Sequence, residues 1–369
     1  MNILFHCVYF PPEVGGLESH VYYLARAMVD RGHRVHVVTS RSLPGVPETE
    51  DMEGIQLWRT WFPSRSPSGW VAHALGSAPK TRVLARDADV IHAQAFPSIV
   101  PAELARWGSR TPLVATFHTS HFLVRAQKPA WRGILGRLVR LPDFALAASG
   151  EIARVAMDLA PGVEVEALAN GVETGFFRRI SPTLPPAGDR TRIVVPRRLF
   201  PKNGVEYFIR ALPLILERAD VEAILIGDGP EMASLQALAE ELGVTRRVSF
   251  LGKRPHSEMP GLLSSGDLAV VPSLMEATSV AALEAMACEL PVLASDVGGL
   301  PEIVDSAVGG LFEAGNPQAL AASVMDFIEE GRMREKGVLA RRRVVENWSN
   351  DRLADRHLEI YSDLLQRRG

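Results

Sequence analysis

The stretch SLMEATSVAALEAMACELPVLASDVGG, residues 273–299, carries the pattern that decides the fold class. A short apolar run, 268–272, comes immediately before it, and a second, 291–295, lies near its end. Between them is an apolar run with helical spacing, which Thr278 or Ser279 can cap at its start. Two short strands joined by a helix indicate a βαβ unit with parallel strands. The helical run also contains Glu284, and because burial of an unpaired charge is costly, this carboxylate requires a polar partner.

The same alternation continues along the rest of the chain in two series. The first has strands predicted at 3–9, 35–40, 90–93, 113–117, 145–148 and 164–169, and the second at 193–195, 223–227, 248–251, 268–272 and 291–295. Apolar strands that alternate with helices are typical of a parallel sheet covered on both faces. We therefore predict an α/β protein of two doubly wound, Rossmann-like domains that face a central cleft, where the ligand binds.

Three prolines and the absence of periodicity mark residues 181–192, SPTLPPAGDRTR, as the connection between the two domains. The predicted organisation is an N-terminal domain at 1–180, a linker at 181–192 and a C-terminal domain at 193–345. A charged amphipathic helix within 346–369 can pack back on the N-terminal domain.

The composition excludes several classes of protein. The net charge of −3 argues against a dedicated nucleic-acid-binding protein. The two cysteines, Cys7 and Cys288, lie in separate apolar segments, which argues against a disulfide framework or a cysteine metal site and favours a reducing cytosol. No uninterrupted apolar run approaches the roughly 18 residues of a membrane span, and MNILFHCVYF lacks the charged start and cleavage site of a signal peptide.

Two carboxylates and the start of a helix follow the strand at 268–272. Glu276 lies in the loop, Ser279 and Val280 begin the helix, and Glu284 is expected roughly two turns inside it. The start of a helix presents free N–H groups and a partial positive charge, which suits a diphosphate. Glu276 would then face a ligand beside the phosphates, and Glu284 could accept hydrogen bonds from a ribose diol. Taken alone, the spacing is equally compatible with two surface glutamates.

The longer string is more specific. E-x(7)-E from Glu276 to Glu284, followed by AMAC, PVLAS, GG and PE within 285–302, resembles the signature of the family-4 glycosyltransferases, which have the GT-B fold. The resemblance covers nearly the whole chain. It implies that the second domain binds a nucleotide-sugar donor, that the first domain takes the acceptor, and that neither a metal ion nor another cofactor is needed.

A second motif, VVPRRLFPKNG at 194–204, places Arg198 and Lys202 four residues apart after a strand. An arginine, by forked hydrogen bonds, and a lysine, as a point charge, can together neutralise a nucleoside diphosphate. The resemblance implies that this pair binds the diphosphate of the donor and stabilises its departure. Because this chain has Arg197 where the family usually has glycine, the arginine that points inward is left open, although Arg198 matches the pattern best.

The first domain contributes further candidates. Gly15 and Gly16 follow the first strand and allow the backbone to approach a phosphate or a sugar closely, and His118 ends the strand at 113–117. A plain turn and a packed histidine are the alternatives. The resemblance implies that the glycine pair contacts the donor and that His118 lies near the donor sugar and the acceptor, with His121 a weaker candidate.

Two loops of the second domain also match the family. Gly227 and Asp228, in IGDGPE at 226–231, resemble the turn beside the nucleotide, although Asp228 is equally suited to a plain turn. Lys253 and Arg254, in FLGKR at 250–254, match the segment that lines the base, largely through backbone groups. The resemblance therefore adds these four residues to the predicted donor site.

One motif is rejected. Asp87-Ala88-Asp89 has the D-x-D spacing that holds a metal ion in a different glycosyltransferase fold. Here it precedes the buried strand VIHAQ, so we interpret it as the end of a helix. No metal site is predicted, since Arg198, Lys202 and a helix start already supply positive charge.

Residues 125–141, RAQKPAWRGILGRLVRL, carry five positive charges and no acid, with apolar residues at helical spacing. A basic amphipathic helix can lie on an anionic bilayer, and it can equally pack its apolar side on its own domain. Either interpretation is open from the sequence. A peripheral position on the inner face of the membrane, together with a lipid-linked acceptor, is one expectation for this cytoplasmic protein.

The function predicted from these motifs is a retaining glycosyltransferase. It moves a hexose-type sugar from a UDP- or GDP-sugar to a hydroxyl acceptor, which is a sugar, a small molecule, a lipid-linked compound or a precursor of a cell-envelope glycan. A nucleotide-sugar epimerase of the same fold and a non-catalytic nucleotide-sugar-binding protein are the alternatives. Transfer to an acceptor, formation of an epimer and binding alone distinguish the three.

Overall fold

The computed structural model describes residues 1–13, 15–118 and 120–367, which form two compact units. Unit 1 extends to Asn170 and resumes at Asn350, whereas unit 2 is continuous from Gly171 to Ser349. Each unit contains one parallel sheet with helices around it, so the prediction of two α/β domains is confirmed.

Unit 1 contains an eight-stranded sheet. Its strands are β1 (Asn2–Cys7), β2 (Arg34–Ser40), β3 (Thr49–Met52), β4 (Ile55–Thr60), β5 (Val90–Gln94), β6 (Leu113–Phe117), β7 (Phe144–Ala147) and β8 (Val165–Ala167). Their order is β3-β4-β2-β1-β5-β6-β7-β8, and only β3 runs antiparallel to its neighbour. The helices are α1 (Gly16–Asp30), α2 (Pro67–Ala85), α3 (Ile99–Arg106), α4 (Ser120–Ala126), α5 (Pro129–Val139) and α6 (Gly150–Leu159).

Unit 2 contains a six-stranded sheet in which all strands are parallel. Its strands are β9 (Thr191–Val195), β10 (Val221–Leu225), β11 (Val248–Phe250), β12 (Leu268–Val271), β13 (Val292–Ser295) and β14 (Gly309–Phe312), in the order β11-β10-β9-β12-β13-β14. The helices are α7 (Val205–Leu216), α8 (Met232–Glu241), α9 (Met259–Leu263), α10 (Val280–Ala287), α11 (Leu300–Ile303), α12 (Pro317–Glu330) and α13 (Met333–Asn347).

The last helix, α14 (Asn350–Gln366), belongs to unit 1. It packs beside α1 and contributes Leu353, Ala354 and Ile360 to the core beneath the sheet. The fully buried Tyr361 places its hydroxyl 2.6 Å from Nδ1 of His92 on β5. The residues 346–349 that the sequence prediction grouped with this helix lie in unit 2.

The two faces of the unit 1 sheet carry different helices. The chain moves from β4 to β5 and onward to β8 in one direction across the sheet, and from β1 to β2 in the other. Because parallel crossovers are right-handed, α2 to α6 lie on one face, and α1 lies on the opposite face with α14. The hydrogen bond between His6 and Ser77 of α2, and that between His92 and Tyr361, agree with this division.

The boundaries differ from the predicted ones where tertiary contacts decide them. The predicted linker, 181–192, lies within unit 2 and ends inside β9. Ser265 Oγ accepts hydrogen bonds from the backbone N–H groups of Thr183 and Leu184, at 3.0 and 3.1 Å. Arg192 donates to the carbonyl oxygen of Ser265 at 3.0 Å. These contacts order the segment along unit 2, although its local sequence has no period.

The loops after β12 and β13 touch each other through a glycine. Gly298 has a φ of +58°, and a Cβ atom placed there would lie 1.7 Å from the carbonyl oxygen of Glu276. Only glycine allows both this conformation and this approach. Within the described residues, no helix combines the length and the apolarity needed to cross a membrane.

We expect Gly298→Ala to destabilise unit 2 by more than about 2 kcal/mol, since it adds a backbone collision to an unfavourable φ. Gly331→Ala is the matched control, because Gly331 has a φ of +69° and open space around its Cβ position. The control should cost about 1 kcal/mol. Equal losses in chemical denaturation would show that the contact between the loops is unimportant.

We also expect acid to weaken unit 1 selectively. Burial is the main cause that lowers the pKa of the six buried histidines in this unit: His6, His20, His73, His92, His118 and His357. Unfolding restores a pKa of about 6.5, so the unfolded chain binds more protons at lower pH. The stability from these groups is complete above about pH 6.5 and is lost below it, at up to about 1.4 kcal/mol per pH unit for each histidine.

The measurement is hydrogen exchange at pH 7.5 and pH 5. The strands β1, β5 and β6 should lose protection at pH 5, while β9, β10 and β12 change much less. Equal losses in both sheets would contradict the assignment to buried histidines.

Candidate active site

The carboxyl ends of the neighbouring strands β9 and β12 bring Arg197 and Glu276 together. Nη2 of Arg197 lies 2.5 Å from Oε2 of Glu276, 2.8 Å from Oγ of Ser273 and 2.9 Å from Oδ1 of Asn203. The side chains of Arg197 and Glu276 are only 10% and 15% exposed. Because this charge-assisted bond is shielded from water, it holds the Glu276 carboxylate in one orientation.

The start of α10 adjoins this ion pair. Ser279 caps the helix, since its Oγ accepts a hydrogen bond from the N–H of Ala282 at 3.3 Å, as the sequence predicts. Nη1 of Arg197 donates to the same Oγ at 3.3 Å. Val280 is the first residue of the helix, so the N–H groups that a helix leaves free point outward here, beside a guanidinium group. The arrangement is suited to an anionic ligand.

Glu284 lies little more than one turn inside α10 rather than the two turns expected, because the helix begins only at Val280. Its side chain is 15% exposed, and its Oε1 lies 3.6 Å from Nε2 of His256. The ring of His256 stacks on Phe176, with 5.3 Å between the ring centres and 9° between the planes. His256 is therefore the polar neighbour that the sequence required for Glu284 but did not identify.

Lys202 lies beside Glu276. Its carbonyl oxygen accepts hydrogen bonds from the N–H groups of Leu274 and Met275, at 2.8 and 3.3 Å, which tie it to the loop after β12. Burial lowers the pKa of Lys202, the charge of Glu276 opposes this effect, and the charges of Arg198 and Arg197 add to it. The pKa shift therefore reports four charged groups gathered at one place.

The two adjacent arginines differ in their surroundings. Arg198 is exposed, and its guanidinium carbon lies 5.6 Å from the ring centre of Phe200. Arg197 instead enters the ion pair with Glu276. The sequence pattern favoured Arg198 as the inward residue, and the departure from glycine at 197 left the choice between the two arginines open.

The turn after β10 supports the arginine segment through its backbone. A Cβ atom at Gly227, whose φ is +150°, would lie 2.1 Å from the carbonyl oxygen of Arg197. The carbonyl oxygen of Asp228 accepts a hydrogen bond from the N–H of Leu199 at 3.0 Å, and its carboxylate accepts one from the N–H of Gly229 at 2.7 Å. The structure thus places Gly227 and Asp228 against the Arg197–Leu199 backbone.

Lys253 and Arg254 are exposed in the loop after β11. Nε of Arg254 lies 3.6 Å from Oε2 of Glu258 in the same loop. The candidate donor site of unit 2 therefore has a partly buried centre, formed by Arg197, Lys202 and Glu276, and an exposed loop that carries these two cations.

Unit 1 holds the remaining predicted residues. Gly15 and Gly16 begin α1, and His118 follows β6. Nε2 of His118 lies 2.7 Å from Oε1 of Gln94, a neighbour that the sequence did not reveal. Burial, with a further contribution from His357, lowers the pKa of His118 to about 3, so its imidazole is neutral at pH 7. His118 can exchange hydrogen bonds with a ligand, but it does not supply a positive charge.

The D-x-D segment and the basic run 125–141 both form contacts within unit 1. Oδ2 of Asp89 accepts a hydrogen bond from the N–H of Asn2 at 2.7 Å, which ties the D-x-D segment to β1. Among the described residues, no three His, Cys, Asp or Glu side chains are grouped so that they could share a metal ion. The basic run 125–141 is divided between α4 and α5, and α5 buries Leu135 and Val139 as it packs beside α6.

Comparison with known proteins identifies the family. The model described as Glycosyltransferase Family 4 matches residues 14–176, and the model described as Glycosyl transferases group 1 matches residues 177–342. The chain is 26% identical to the N-acetyl-alpha-D-glucosaminyl L-malate synthase of Bacillus anthracis, over 96% of both proteins. It is 28% identical to the GDP-mannose-dependent alpha-(1-6)-phosphatidylinositol monomannoside mannosyltransferase of Mycolicibacterium smegmatis, over 92% of both.

The fold has a close counterpart among solved structures. A sucrose-phosphate synthase from Thermosynechococcus elongatus superposes with a TM-score of 0.87 over 99% of both chains, at 20% sequence identity. The two family models together account for nearly the whole chain. The chain therefore belongs to the family-4 glycosyltransferases, and its two parallel-sheet units have the architecture of the GT-B fold.

Proposed function

We propose that the chain is a retaining glycosyltransferase that moves a hexose-type sugar from a nucleotide-diphosphate sugar to a hydroxyl acceptor. The observation that carries the proposal is the cluster of Arg197, Glu276 and Lys202 at the start of α10. It places Lys202 and a helix start, which suit a diphosphate, beside the Glu276 carboxylate, which suits sugar hydroxyls and is held in place by Arg197.

The diphosphate is the group that leaves in this reaction, and negative charge grows on it as the glycosidic bond breaks. In the proposal, Lys202, Arg198 and the N–H groups at the start of α10 stabilise that charge. These groups are held in place before the reaction, so they need no reorganisation during it. Neither a metal ion nor another cofactor is required in this mechanism, because the fixed positive groups take that role.

The carboxylates have separate roles in the proposal. Both hydrogen bonds described for Glu276 end on Oε2, so Oε1 takes no part in them and is suited to accept from a sugar hydroxyl. Glu284 accepts from the ribose hydroxyls, beside Lys253 and Arg254 at the base. In unit 1, Gly15 and Gly16 approach the donor, and the neutral His118 hydrogen-bonds a hydroxyl of the donor sugar or the acceptor.

The identity of the donor and acceptor is proposed from the relatives. The mannosyltransferase relative is named for GDP-mannose and a phosphatidylinositol glycoside, and the synthase relative for an N-acetylglucosaminyl group and malate. We accordingly propose a UDP- or GDP-hexose as donor and a sugar, a small molecule or a lipid-linked alcohol as acceptor. The proposed location is the cytoplasm, at the inner face of the membrane, and the two buried cysteines without a disulfide are compatible with it.

A panel of UDP- and GDP-sugars, each offered with phosphatidylinositol, malate and simple glycosides, tests the function. Formation of a glycoside that requires both donor and acceptor supports transfer, and the anomeric coupling constant of the product in proton NMR tests retention. Formation of an epimerised donor, or binding of the nucleotide without turnover, would contradict the proposal. Lys202→Ala should abolish transfer, whereas Arg218→Ala, an exposed arginine that pairs with Glu329, should not change it.

Arg197 should act as a positioning residue for Glu276. Arg197→Ala leaves a largely buried carboxylate without its charged partner, so we expect unit 2 to lose about 3 kcal/mol of stability. The double variant Arg197→Ala/Glu276→Gln should recover much of that loss, because the unpaired charge is gone. Urea denaturation of the two variants provides the measurement, with Arg218→Ala as the control. Additive losses would show that the two side chains are not coupled.

Transfer should weaken at alkaline pH as Lys202 loses its proton. Its lowered pKa means that the charged form disappears at a lower pH than for an ordinary lysine. The Michaelis constant for the donor should therefore rise on the alkaline side. Lys202→Arg should move this rise to higher pH, since arginine stays protonated. An unchanged pH profile in this variant would assign the alkaline limb to another group.

A further inference from the structure

Two neighbouring helices of unit 1 expose apolar side chains that the proposed function does not use. On α2 the spacing of these residues is that of one helix face, and α3 together with the residue after it carries a second set. The exposed fractions are 61% for Val71, 63% for Leu75 and 55% for Val83 on α2, and 39% for Val100, 38% for Leu104 and 75% for Trp107 on and after α3. A contiguous group of exposed apolar side chains is typical of a surface that contacts a partner or a membrane.

The two sets of residues share one surface. α2 and α3 pack side by side on the same face of the sheet, so the sides that turn away from the sheet adjoin each other. α5 lies on that face as well and exposes Ile134, which is 49% accessible. We call the outward sides of α2, α3 and α5, with Trp107, the outer face.

The charge of this region is opposite to that of the whole chain. Residues 67–141 contain ten lysines and arginines but only three aspartates and glutamates, although the chain as a whole has a net charge of −3. Of the acids, Glu103 is paired with Arg106 at 2.7 Å, and Asp89 binds the backbone of Asn2. The exposed cations of the outer face include Arg82, Arg86 and Arg137.

We propose that the outer face docks on an anionic lipid bilayer. Exposed cations attract acidic headgroups, aliphatic side chains enter the boundary between headgroups and acyl chains, and tryptophan is favoured at that depth. The excess of positive charge favours this occupant over a second copy of this acidic chain or a neutral protein surface. The proposal is independent of whether the chain transfers a sugar.

The structure places the apolar part of this interaction outside the basic run 125–141. That run cannot supply the main apolar contact, because Leu135 and Val139 are buried against unit 1. It supplies charge together with Arg82 and Arg86 at the end of α2, whereas α2, α3 and Trp107 supply the apolar groups. The sequence pattern had placed both parts in the single segment 125–141.

Co-sedimentation of the full chain with vesicles tests the proposal. The vesicles are pure phosphatidylcholine, or phosphatidylcholine with one-third phosphatidylglycerol, at 0.1 M and 0.5 M salt. The charge variant is Arg82→Gln/Arg86→Gln/Arg137→Gln, and the apolar variant is Leu75→Ser/Trp107→Ser. The matched control, Leu214→Ser/Val345→Ser/Arg218→Gln, changes exposed residues of unit 2. Circular dichroism and melting curves establish that each variant is folded.

The wild-type chain should bind the anionic vesicles alone and release them at high salt. The charge variant should bind roughly a hundredfold more weakly, at about fivefold for each charge, and the apolar variant at least tenfold more weakly. The control should bind as the wild type does. Quenching of fluorescence by brominated lipid should fall in Trp107→Phe and not in Trp348→Phe.

Three results would overturn the proposal. They are the absence of binding at 1 mM anionic lipid, equal binding by the wild-type chain and the two outer-face variants, and a dimer in solution that Trp107→Ser dissociates. The last result would identify the outer face as an interface between copies of the chain. Transfer of a sugar is not measured in any of these experiments, so their outcome is separate from that of the proposed function.

Discussion

The ion pair between Arg197 and Glu276 is the interaction on which the candidate site depends. It links the loop after β9 to the loop after β12, and through Ser279 it also reaches the start of α10. Glycines on the two flanking loops, Gly227 and Gly298, lie against the backbones of Arg197 and Glu276 themselves. Four strand ends are thereby fixed around one buried charge pair. A buried pair adds little net stability but strongly penalises any arrangement that separates it, so its main effect is to define the geometry.

The buried polar residues of unit 1 differ from those of unit 2 in that they include histidines. Its buried histidines are neutral, and His92 lies between the hydroxyl groups of Tyr361 and Thr116. His118 belongs to this neutral group through Gln94. Unit 2 holds the Arg197–Glu276 pair beside Lys202, whereas the buried polar residues of unit 1 include these neutral histidines and also Arg59, which pairs with Glu50.

The sequence predicted the buried strands well and the exposed or short ones poorly. β6 was located at its observed bounds, because a buried strand between helices is a continuous apolar run. β3 was missed because it is a polar edge strand that pairs only with β4, and β4 was missed with it. β14 was missed because it begins with two glycines. The linker was misplaced because contacts with Ser265, distant in sequence, order it.

The site was predictable in its residue types and less so in its contacts. The family pattern predicted Lys202, Glu276 and the cap at Ser279 from their fixed spacing after strands, and the structure brings Lys202 near Glu276 and confirms the cap. It did not identify Gln94 or His256, whose roles depend on strands and loops that are adjacent only in space. Arg197 and Arg198 are adjacent and chemically identical, and they differ only in the direction of their side chains. The sequence alone could therefore not decide which of the two points inward.

The return of α14 to unit 1 affects the order in which the chain can fold during synthesis. Unit 2 is continuous, so all of its residues are synthesised before α14. Unit 1 begins first but lacks Tyr361 and the rest of α14 until that helix is made, which leaves His92 and the apolar side of α1 uncovered. The half that is synthesised first is therefore the half that is completed last.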